Sequence, residues 1–155
     1  MLRKYVTAIA GLLLGMALAA GQALAEGQDM KPAKNGYHQQ KVLYHMNDAQ
    51  LAGPGLRNIK NHLNAVGDEN AEVVVVTHGK GIDFLLDGWK DAKGNSHADT
   101  VQELANRGVT FQICANTIKG RNIDKDKINM NAEITPSGVA TVSELQLQGY
   151  TYVKP

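Results

Sequence analysis

The chain contains one cysteine, Cys114, in 155 residues. An internal disulfide needs two cysteines, so a small fold held together by disulfides is excluded. A lone cysteine serves instead as a small buried apolar side chain, an intermolecular disulfide partner, a metal ligand or a reactive thiol. Which of these roles Cys114 plays is the main question that the sequence raises.

Aromatic residues are scarce, and neither sign of charge dominates. Phe, Trp and Tyr make up 5% of the residues, and the formal net charge is +1 at pH 7. Surfaces that bind nucleic acids combine an excess of Lys and Arg with aromatic side chains for stacking, and anionic membranes attract basic patches. The composition therefore predicts no nucleic acid and no anionic membrane surface as a partner.

Motifs of fixed spacing for phosphate or metal binding are also lacking. The P-loop pattern GxxxxGK[ST] and the dinucleotide pattern GxGxxG do not occur, nor do CxxC and HxxxH. The turn His78-Gly79-Lys80-Gly81 exposes backbone N–H groups, which is a weak phosphate signal. We therefore predict no bound cofactor.

The one long apolar run lies at the N-terminus. Arg3 and Lys4 precede apolar residues 6–20, and Ala23-Leu24-Ala25 follows. This order is the layout of a secretory signal peptide, so we expect cleavage after residue 25 and export, most simply to a bacterial periplasm. A membrane anchor is the alternative, but the run is short and rich in Gly and Ala. The remaining 130 residues are enough for one domain, and no second segment is apolar and long enough to span a membrane. They carry 14 basic and 15 acidic side chains.

The rest of the chain has the hydrophobic patterning of an α/β domain. Residues 26–40 are polar and are predicted to form a flexible leader, so the domain spans 41–155. Four consecutive valines, Val73 to Val76, do not alternate with polar residues, which is typical of a central parallel strand. An amphipathic helix ended by Gly67 is predicted from the spacing of Leu56, Ile59, Leu63 and Val66.

Further segments continue the alternation of strands and helices. Strands are predicted at about 42–46, 109–115, 131–134 and 150–153. Helices are predicted from Ile82 to Trp89, from Asp99 or Thr100 to Gly108, within 116–128, and after an N-cap at Ser137 with Val139, Val142 and Leu145 facing inward. The order β-α-β-α-β-α-β-α-β predicts a mostly parallel five-stranded sheet with helices on both faces.

Three chemically useful side chains fall at the ends of predicted strands. His45, His78 and Cys114 end the first, second and third strands, and α/β sheets gather their ligands beyond the carboxyl ends of strands. We expect the three side chains to converge if these strands are neighbours. A copper or zinc centre formed by them, with Met46, is an alternative that the residue types permit but no short spacing supports.

The surroundings of Cys114 favour ionisation of its thiol. We expect a strand-end thiol to be partly accessible, with Asn116 or Thr117 capping a helix whose positive end lies near the sulfur. Lys119 and Arg121 add positive charge. Each effect favours the thiolate, which is the nucleophilic form, whereas the alternative is a buried and inert cysteine.

Three segments resemble those of the DsrE/DsrF-like family. They are GVTFQICANTIKGRNI around Cys114, VVVVTHGKGIDFLL, and ITPSGVATVSELQLQGYTYVKP. The resemblance covers roughly residues 41–155 and implies a compact α/β fold that assembles as a homotrimer or homohexamer. In the sulfur-relay members, which include TusD-type carriers, a cysteine at this strand end holds sulfane sulfur as a persulfide.

Carried over to this chain, the resemblance implies that Cys114 takes up sulfane sulfur and passes it to an acceptor thiol. His78 and Gly79 match a recurring His-Gly pair of small relatives. The other residues expected to line the substrate pocket are His45, Asn116, Lys119 and Arg121. Expected partners are sulfur donor and acceptor proteins, or small compounds such as thiosulfate and polysulfide. Some members lack a working cysteine, so a non-catalytic ligand- or metal-binding oligomer is the second expectation.

Overall fold

The computed structural model describes residues 34–155. The strands in this range are β1 Gln40–Asp48, β2 Ala71–Lys80, β3 Thr110–Cys114, β4 Ala132–Thr135 and β5 Thr151–Val153. The α-helices are α1 Ala52–Val66, α2 Ala98–Asn106, α3 Ala115–Gly120 and α4 Gly138–Leu147. The predicted signal peptide and half of the predicted leader lie outside the described residues. Within 34–155, no helix combines the length and the hydropathy needed to cross a membrane.

The five strands form one parallel sheet in the order β4-β3-β2-β1-β5. Parallel neighbours need crossover connections, and the helices between successive strands supply them. α1 and α2 pack on one face, and α4 packs on the other. The predicted α/β class, with five parallel strands and helices on both faces, is confirmed.

The centre of the sheet is buried on both faces because β2 is apolar along most of its length. Val73, Val74, Val75 and Val76 are 1%, 7%, 0% and 0% exposed, as their unbroken run predicts. Val73 and Val75 belong to a large core cluster beneath α1 and α2. Val74 and Val76 belong to a smaller cluster beneath α4. The two faces of the sheet are therefore covered by unequal layers.

The predicted helix from Ile82 to Trp89 is wrong. Only a single 3-10 turn forms, at Asp83–Leu85. The chain then pairs with a distant segment: Leu86 forms an antiparallel bridge with Ile128, and the N–H of Asp87 donates to the carbonyl of Lys127 at 2.8 Å. Backbone groups that pair with another segment are unavailable to a helix, so the apolar spacing here serves packing alone.

α4 begins as predicted but faces the sheet differently. The Ser137 side chain accepts a hydrogen bond from the N–H of Ala140, which confirms the N-cap. Leu145 is buried, whereas Val139 is 66% exposed, so its predicted inward position is wrong. Gly138 is the residue of the first turn that packs against the sheet, and Val139 lies about 100° further round the helix.

Gly81, the residue that follows β2, lies very close to the backbone of β1 near its carboxyl end. Met46 pairs with Thr77 and Asp48 pairs with Lys80, so the register shifts here and the extra residue lies in β2. Gly81 lies next to this register shift, and a Cβ atom there would lie 2.1 Å from the carbonyl oxygen of Met46. That distance leaves no room for a side chain at position 81.

Candidate functional site

One polar or reactive side chain from each strand lies near the carboxyl edge of the sheet, on the face that α4 covers. In sheet order they are Thr135, Cys114, His78, His45 and Tyr152. Thr135 pairs with Cys114 and Tyr152 pairs with Leu43, while the pairing of Thr77 with Ile113 places His78 beside Cys114. Because side chains alternate between the faces of a sheet, this register brings all five side chains to one face.

His45 and His78 are in direct contact. Their Nε2 atoms are 2.6 Å apart, and their ring centroids are 4.8 Å apart. The Nδ1 atom of His45 lies 2.8 Å from the hydroxyl of Tyr152, which is 40% exposed. At an Nε2–Nε2 distance of this size one nitrogen carries the hydrogen and the other accepts it. The three side chains therefore form a hydrogen-bonded chain from the middle of the sheet to the surface.

Two partly buried histidines have lowered pKa values, which favours their neutral form. Burial, together with the nearby His78 and Lys154, lowers the pKa of His45. Burial also lowers the pKa of His62, which is hydrogen-bonded to Tyr44 and Gln40 on the other face. The unfolded chain leaves both imidazoles in water with the ordinary pKa of about 6.5.

We expect the free energy of unfolding to fall as the pH drops below about 6.5. Folded His45 and His62 have lowered pKa values, so the unfolded state binds more protons in this range and acid favours unfolding. The loss levels off below the folded pKa values. Urea titrations between pH 7.5 and pH 5, where most carboxylates stay ionised, measure the effect. The double variant His45→Gln/His62→Gln should flatten the profile, whereas variant His38→Gln, at an exposed position, should not; a wild-type profile without a decline would contradict the prediction.

Cys114 is a free cysteine with only 4% of its surface exposed. The expectation of a partly accessible thiol is therefore wrong, and the reason is the position of α4. A Cβ atom at Gly138, the first residue of α4, would lie 3.2 Å from the Cβ of Cys114 and 3.1 Å from the Cβ of His78. The bare backbone of Gly138 thus closes over both residues, and a Cβ atom there would fit only if a neighbour shifted by a few tenths of an ångström.

Backbone and hydroxyl groups set the ionisation of the Cys114 thiol. Burial raises its pKa, but hydrogen bonds from the N–H of Gly138, from the hydroxyl and N–H of Thr117 and from the N–H of Asn116 lower it, and the net direction is downward. These N–H groups belong to the first turns of α3 and α4. The N-cap of α3 is Cys114 itself, so the predicted cap at Asn116 or Thr117 is wrong. The environment favours a thiolate.

Arg121 anchors the turn that follows β2. Its Nη1 atom donates to the carbonyl of Gly79 at 2.9 Å and to Oδ1 of Asp83 at 2.6 Å. The N–H of Gly79 donates to Oγ1 of Thr117 at 3.0 Å, which ties the same turn to α3. Lys119 is exposed, and neither basic side chain is among the groups that lower the pKa of Cys114. Their role in holding a substrate anion stays a prediction.

The alternative of a metal centre gains no support from the arrangement of these side chains. Met46 is buried on the opposite face of the sheet, where its side chain borders Gly55. Across the described part of the chain, no group of three or more His, Cys, Asp or Glu side chains is arranged to hold a metal ion.

Sequence patterns did not indicate Gly138 or Tyr152 as parts of this site, and they indicated Thr117 only as a helix cap near the sulfur. Gly138 directly follows a good N-cap, and a glycine there signals close approach of the backbone to another element. Tyr152 is the middle residue of the last strand, but its contact with His45 depends on which strand neighbours β5. Only the sheet order supplies that information.

Comparisons with known proteins agree with this architecture. The profile of the DsrE/DsrF-like family matches residues 40–155. Protein MTH1491 of unknown function, from Methanobacterium thermoautotrophicum, is 23% identical, with a TM-score of 0.66 over 75% of this chain and 99% of its own. The YchN protein from E. coli is 17% identical, with a TM-score of 0.62 over the same shares. No curated protein gives a significant sequence match. The two structures share the fold.

Proposed function

This chain belongs to the DsrE/DsrF-like family, and on that premise we propose that it is a sulfur carrier that holds sulfane sulfur as a persulfide on Cys114. The observation that carries the proposal is the lowered pKa of the Cys114 thiol, caused by hydrogen bonds from Gly138, Thr117 and Asn116 that outweigh its burial. The thiolate is the form that attacks sulfur. A thiolate at the end of β3 that accepts hydrogen bonds from the first turns of α3 and α4 is suited to this chemistry.

Loading and unloading are both exchanges between a thiolate and a sulfane sulfur. With thiosulfate as donor, the Cys114 thiolate attacks the outer sulfur, a new S–S bond forms, the donor's S–S bond breaks, and sulfite leaves with the electron pair. In unloading, an acceptor thiolate attacks the outer sulfur of the persulfide. The bond to Cys114 breaks and its electron pair stays on Cys114 as a thiolate. The sulfane sulfur moves without any external oxidant or reductant.

The same N–H groups that favour the thiolate also make Cys114 a good leaving group. A thiol of lower pKa leaves faster in exchange reactions, so the hydrogen bonds from Gly138 and Thr117 assist unloading. The chain has no second cysteine that could expel the sulfur by forming an internal disulfide. A stored persulfide is therefore released to an external thiol.

The proposal extends to location and assembly. The pattern of residues 1–25 supports export, so the carrier would act in the periplasm, where thiosulfate, polysulfide or an exported sulfur protein is the donor. A homotrimer or homohexamer is the proposed assembly, by analogy with the family. Size-exclusion chromatography with light scattering measures the assembly directly.

We expect the reduced protein to gain the mass of one sulfur atom after incubation with polysulfide or thiosulfate. Intact-protein mass spectrometry detects the gain, and dithiothreitol should reverse it. The variant Cys114→Ser should gain nothing while keeping the far-UV circular dichroism of the wild type. An unmodified wild type whose thiol reacts readily with iodoacetamide would contradict the proposal, because the thiol would then be accessible yet inactive towards sulfane sulfur.

The burial of Cys114 favours a second candidate, a non-catalytic binding module in which the cysteine is a small apolar side chain. In that case Cys114→Ala would leave the oligomeric state unchanged and would abolish no sulfur chemistry. Resistance of the folded wild type to both polysulfide and iodoacetamide favours this candidate over the carrier.

A further inference from the structure

We propose that His78, His45 and Tyr152 form a proton relay for the thiol or thiolate that exchanges sulfur with Cys114. The inference rests on the carrier function proposed above and assigns a task to side chains that the sulfur chemistry alone does not use. It starts from the hydrogen-bonded chain that begins beside Cys114 and ends at the exposed hydroxyl of Tyr152.

The need for such a relay lies with the acceptor, because the sulfur of Cys114 already has its own support. The groups that favour the Cys114 thiolate are N–H groups and the Thr117 hydroxyl, and no imidazole is among them. An alkyl thiol in water has a pKa of about 8.5 and arrives with its proton. It must lose that proton before it attacks the persulfide. A neutral imidazole beside Cys114 is a suitable base.

His78 is the member of the hydrogen-bonded chain that lies next to Cys114, as this task requires. A Cβ atom at Gly138 would lie 3.1 Å from the Cβ of His78 and 3.2 Å from the Cβ of Cys114, so these two side chains start next to each other. The Nε2 atom of His78 faces His45. The other ring nitrogen, Nδ1, is bonded to the carbon next to Cβ and takes no part in the contact with His45. Nδ1 is therefore the atom that we assign to proton exchange with the incoming thiol.

Two proton arrangements of the same chain serve the two half-reactions. In the first, Nε2–H of His78 donates to Nε2 of His45, and Nδ1–H of His45 donates to the Tyr152 oxygen, so Nδ1 of His78 is bare. When it accepts the acceptor's proton, each hydrogen bond reverses and the Tyr152 hydroxyl releases one proton to water. The acceptor thiolate then attacks the outer sulfur, and the electron pair of the broken S–S bond returns to Cys114. In loading, His78 Nδ1–H gives its proton to the group that leaves the donor, which is sulfite or a shorter polysulfide. Each hydrogen bond then reverses again, and the Tyr152 hydroxyl takes up one proton from water, so the chain resets.

The charged groups near the relay lie at the ends of the strands and not on the first turns of α4. Lys154, beyond β5, acts on His45 as a positive charge. Lys80 and Asp48 lie beyond the histidines at the ends of β2 and β1, and both are exposed. On α4, residues 138–143 include no side chain that ionises near neutral pH, and Glu144 is the first acidic one. No carboxylate from the covering helix therefore traps the proton on the pair.

The test compares acceptor thiols of different acidity. Each protein is first loaded with polysulfide and checked by mass, and single-turnover transfer is then followed at pH 7 with an alkyl thiol and with an aryl thiol that is already ionised. We expect His78→Gln to slow transfer to the alkyl thiol by about 100-fold, the lower range of general base catalysis. Tyr152→Phe should slow it by about 10-fold. Transfer to the ionised aryl thiol should change by less than about 3-fold in both variants, since it has no proton to give up.

Matched controls separate the relay from a structural role. Tyr150→Phe removes a hydroxyl that bonds to Glu72, and His62→Gln removes a half-buried imidazole from the other face; neither should alter transfer. Equal slowing for both acceptors would indicate a structural role and overturn the relay. So would normal loading with unchanged transfer in both variants. A wild type that takes up no sulfur would overturn the carrier function and the relay together. If His78→Gln does not fold, Tyr152→Phe carries the test, because its ring is retained.

Discussion

Replacing Gly138 by Ala is expected to raise the pKa of the Cys114 thiol and to slow its alkylation at neutral pH by about 10- to 100-fold. The added methyl group would lie within 3.2 Å of Cys114 Cβ, His78 Cβ and the carbonyl oxygen of Thr77, so we expect the first turn of α4 to shift by a few tenths of an ångström. Its movement withdraws the N–H of Gly138 from the sulfur. A hydrogen bond to a charged group contributes about 1.5–3 kcal/mol, and one pKa unit corresponds to about 1.36 kcal/mol.

The rate of iodoacetamide reaction as a function of pH measures this change. The shift of the profile to higher pH reports the thiol pKa, while the plateau at high pH reports accessibility, which the displaced helix should increase. Gly120→Ala is the matched control, because a Cβ atom there meets nothing within 4 Å and its backbone needs no glycine. A Gly138→Ala profile that coincides with that of the control would refute the hydrogen bond from the N–H of Gly138 to the Cys114 sulfur.

Replacing Gly81 by Ala is expected to destabilise the protein by about 3 kcal/mol or more, the upper range for overpacking. The new methyl group would lie 2.1 Å from the carbonyl oxygen of Met46 and 2.6 Å from the Cα of Asn47. Both atoms are backbone atoms of the strand that carries His45, so no side-chain rotation relieves the clash. The ends of β1 and β2 must separate, and the contact between His45 and His78 loosens with them.

Thermal unfolding followed by circular dichroism measures this loss, which should lower the melting temperature by about 10 °C or more for a domain of this size. Gly120→Ala again serves as control and should keep or slightly raise the stability, as Ala usually does in a helix. The exchange behaviour of the imidazole hydrogens of His45 and His78, seen by NMR, reports the loosened contact separately. A melting temperature within about 2 °C of the wild type would rule out the close approach of Gly81 to β1.

Elements whose structure depends on local physics could be predicted from the sequence. The valine run of β2 is buried on both faces, and Leu56, Ile59 and Leu63 face the core at helical spacing. Ser137 caps α4 because its hydroxyl bonds to an N–H three residues away. In each case the residues that decide the structure lie within one or two turns of each other. A short segment of the sequence is therefore sufficient to predict these interactions.

Elements that depend on distant partners could not be predicted in this way. The segment after β2 has apolar residues at helical spacing, yet it pairs with residues 127–129 instead of forming a helix. Val139 has the spacing of an inward residue, but the first turn of α4 is oriented by the contact of Gly138 with Cys114 and His78. Both outcomes are decided by segments more than 20 residues away.

The candidate site depends both on local sequence patterns and on contacts between distant segments. Cys114 ends β3 as predicted, whereas the prediction that His45 and His78 end their strands is wrong, because β1 continues to Asp48 and β2 to Lys80. Their grouping follows from the sheet order β3-β2-β1, which a single sequence does not contain. Tyr152 joins them only because β5 pairs with β1 at the edge of the sheet. The burial of the thiol was mispredicted because the covering residue, Gly138, has no side chain to signal a contact.

For the proposed carrier, the unequal layers of the sheet suggest a route by which the Cys114 thiol would become accessible. α4 rests on the smaller cluster, of which Leu145 and Tyr150 are the members outside the sheet, and it is the element that hides Cys114. Local opening costs least where few apolar contacts are broken, so α4 can lift while the larger cluster stays closed. Access to the thiol is then an equilibrium between covered and uncovered forms. In the proposed carrier, the covered form would shield the Cys114 thiol from oxidants, and a partner that holds α4 open would expose the thiol for exchange.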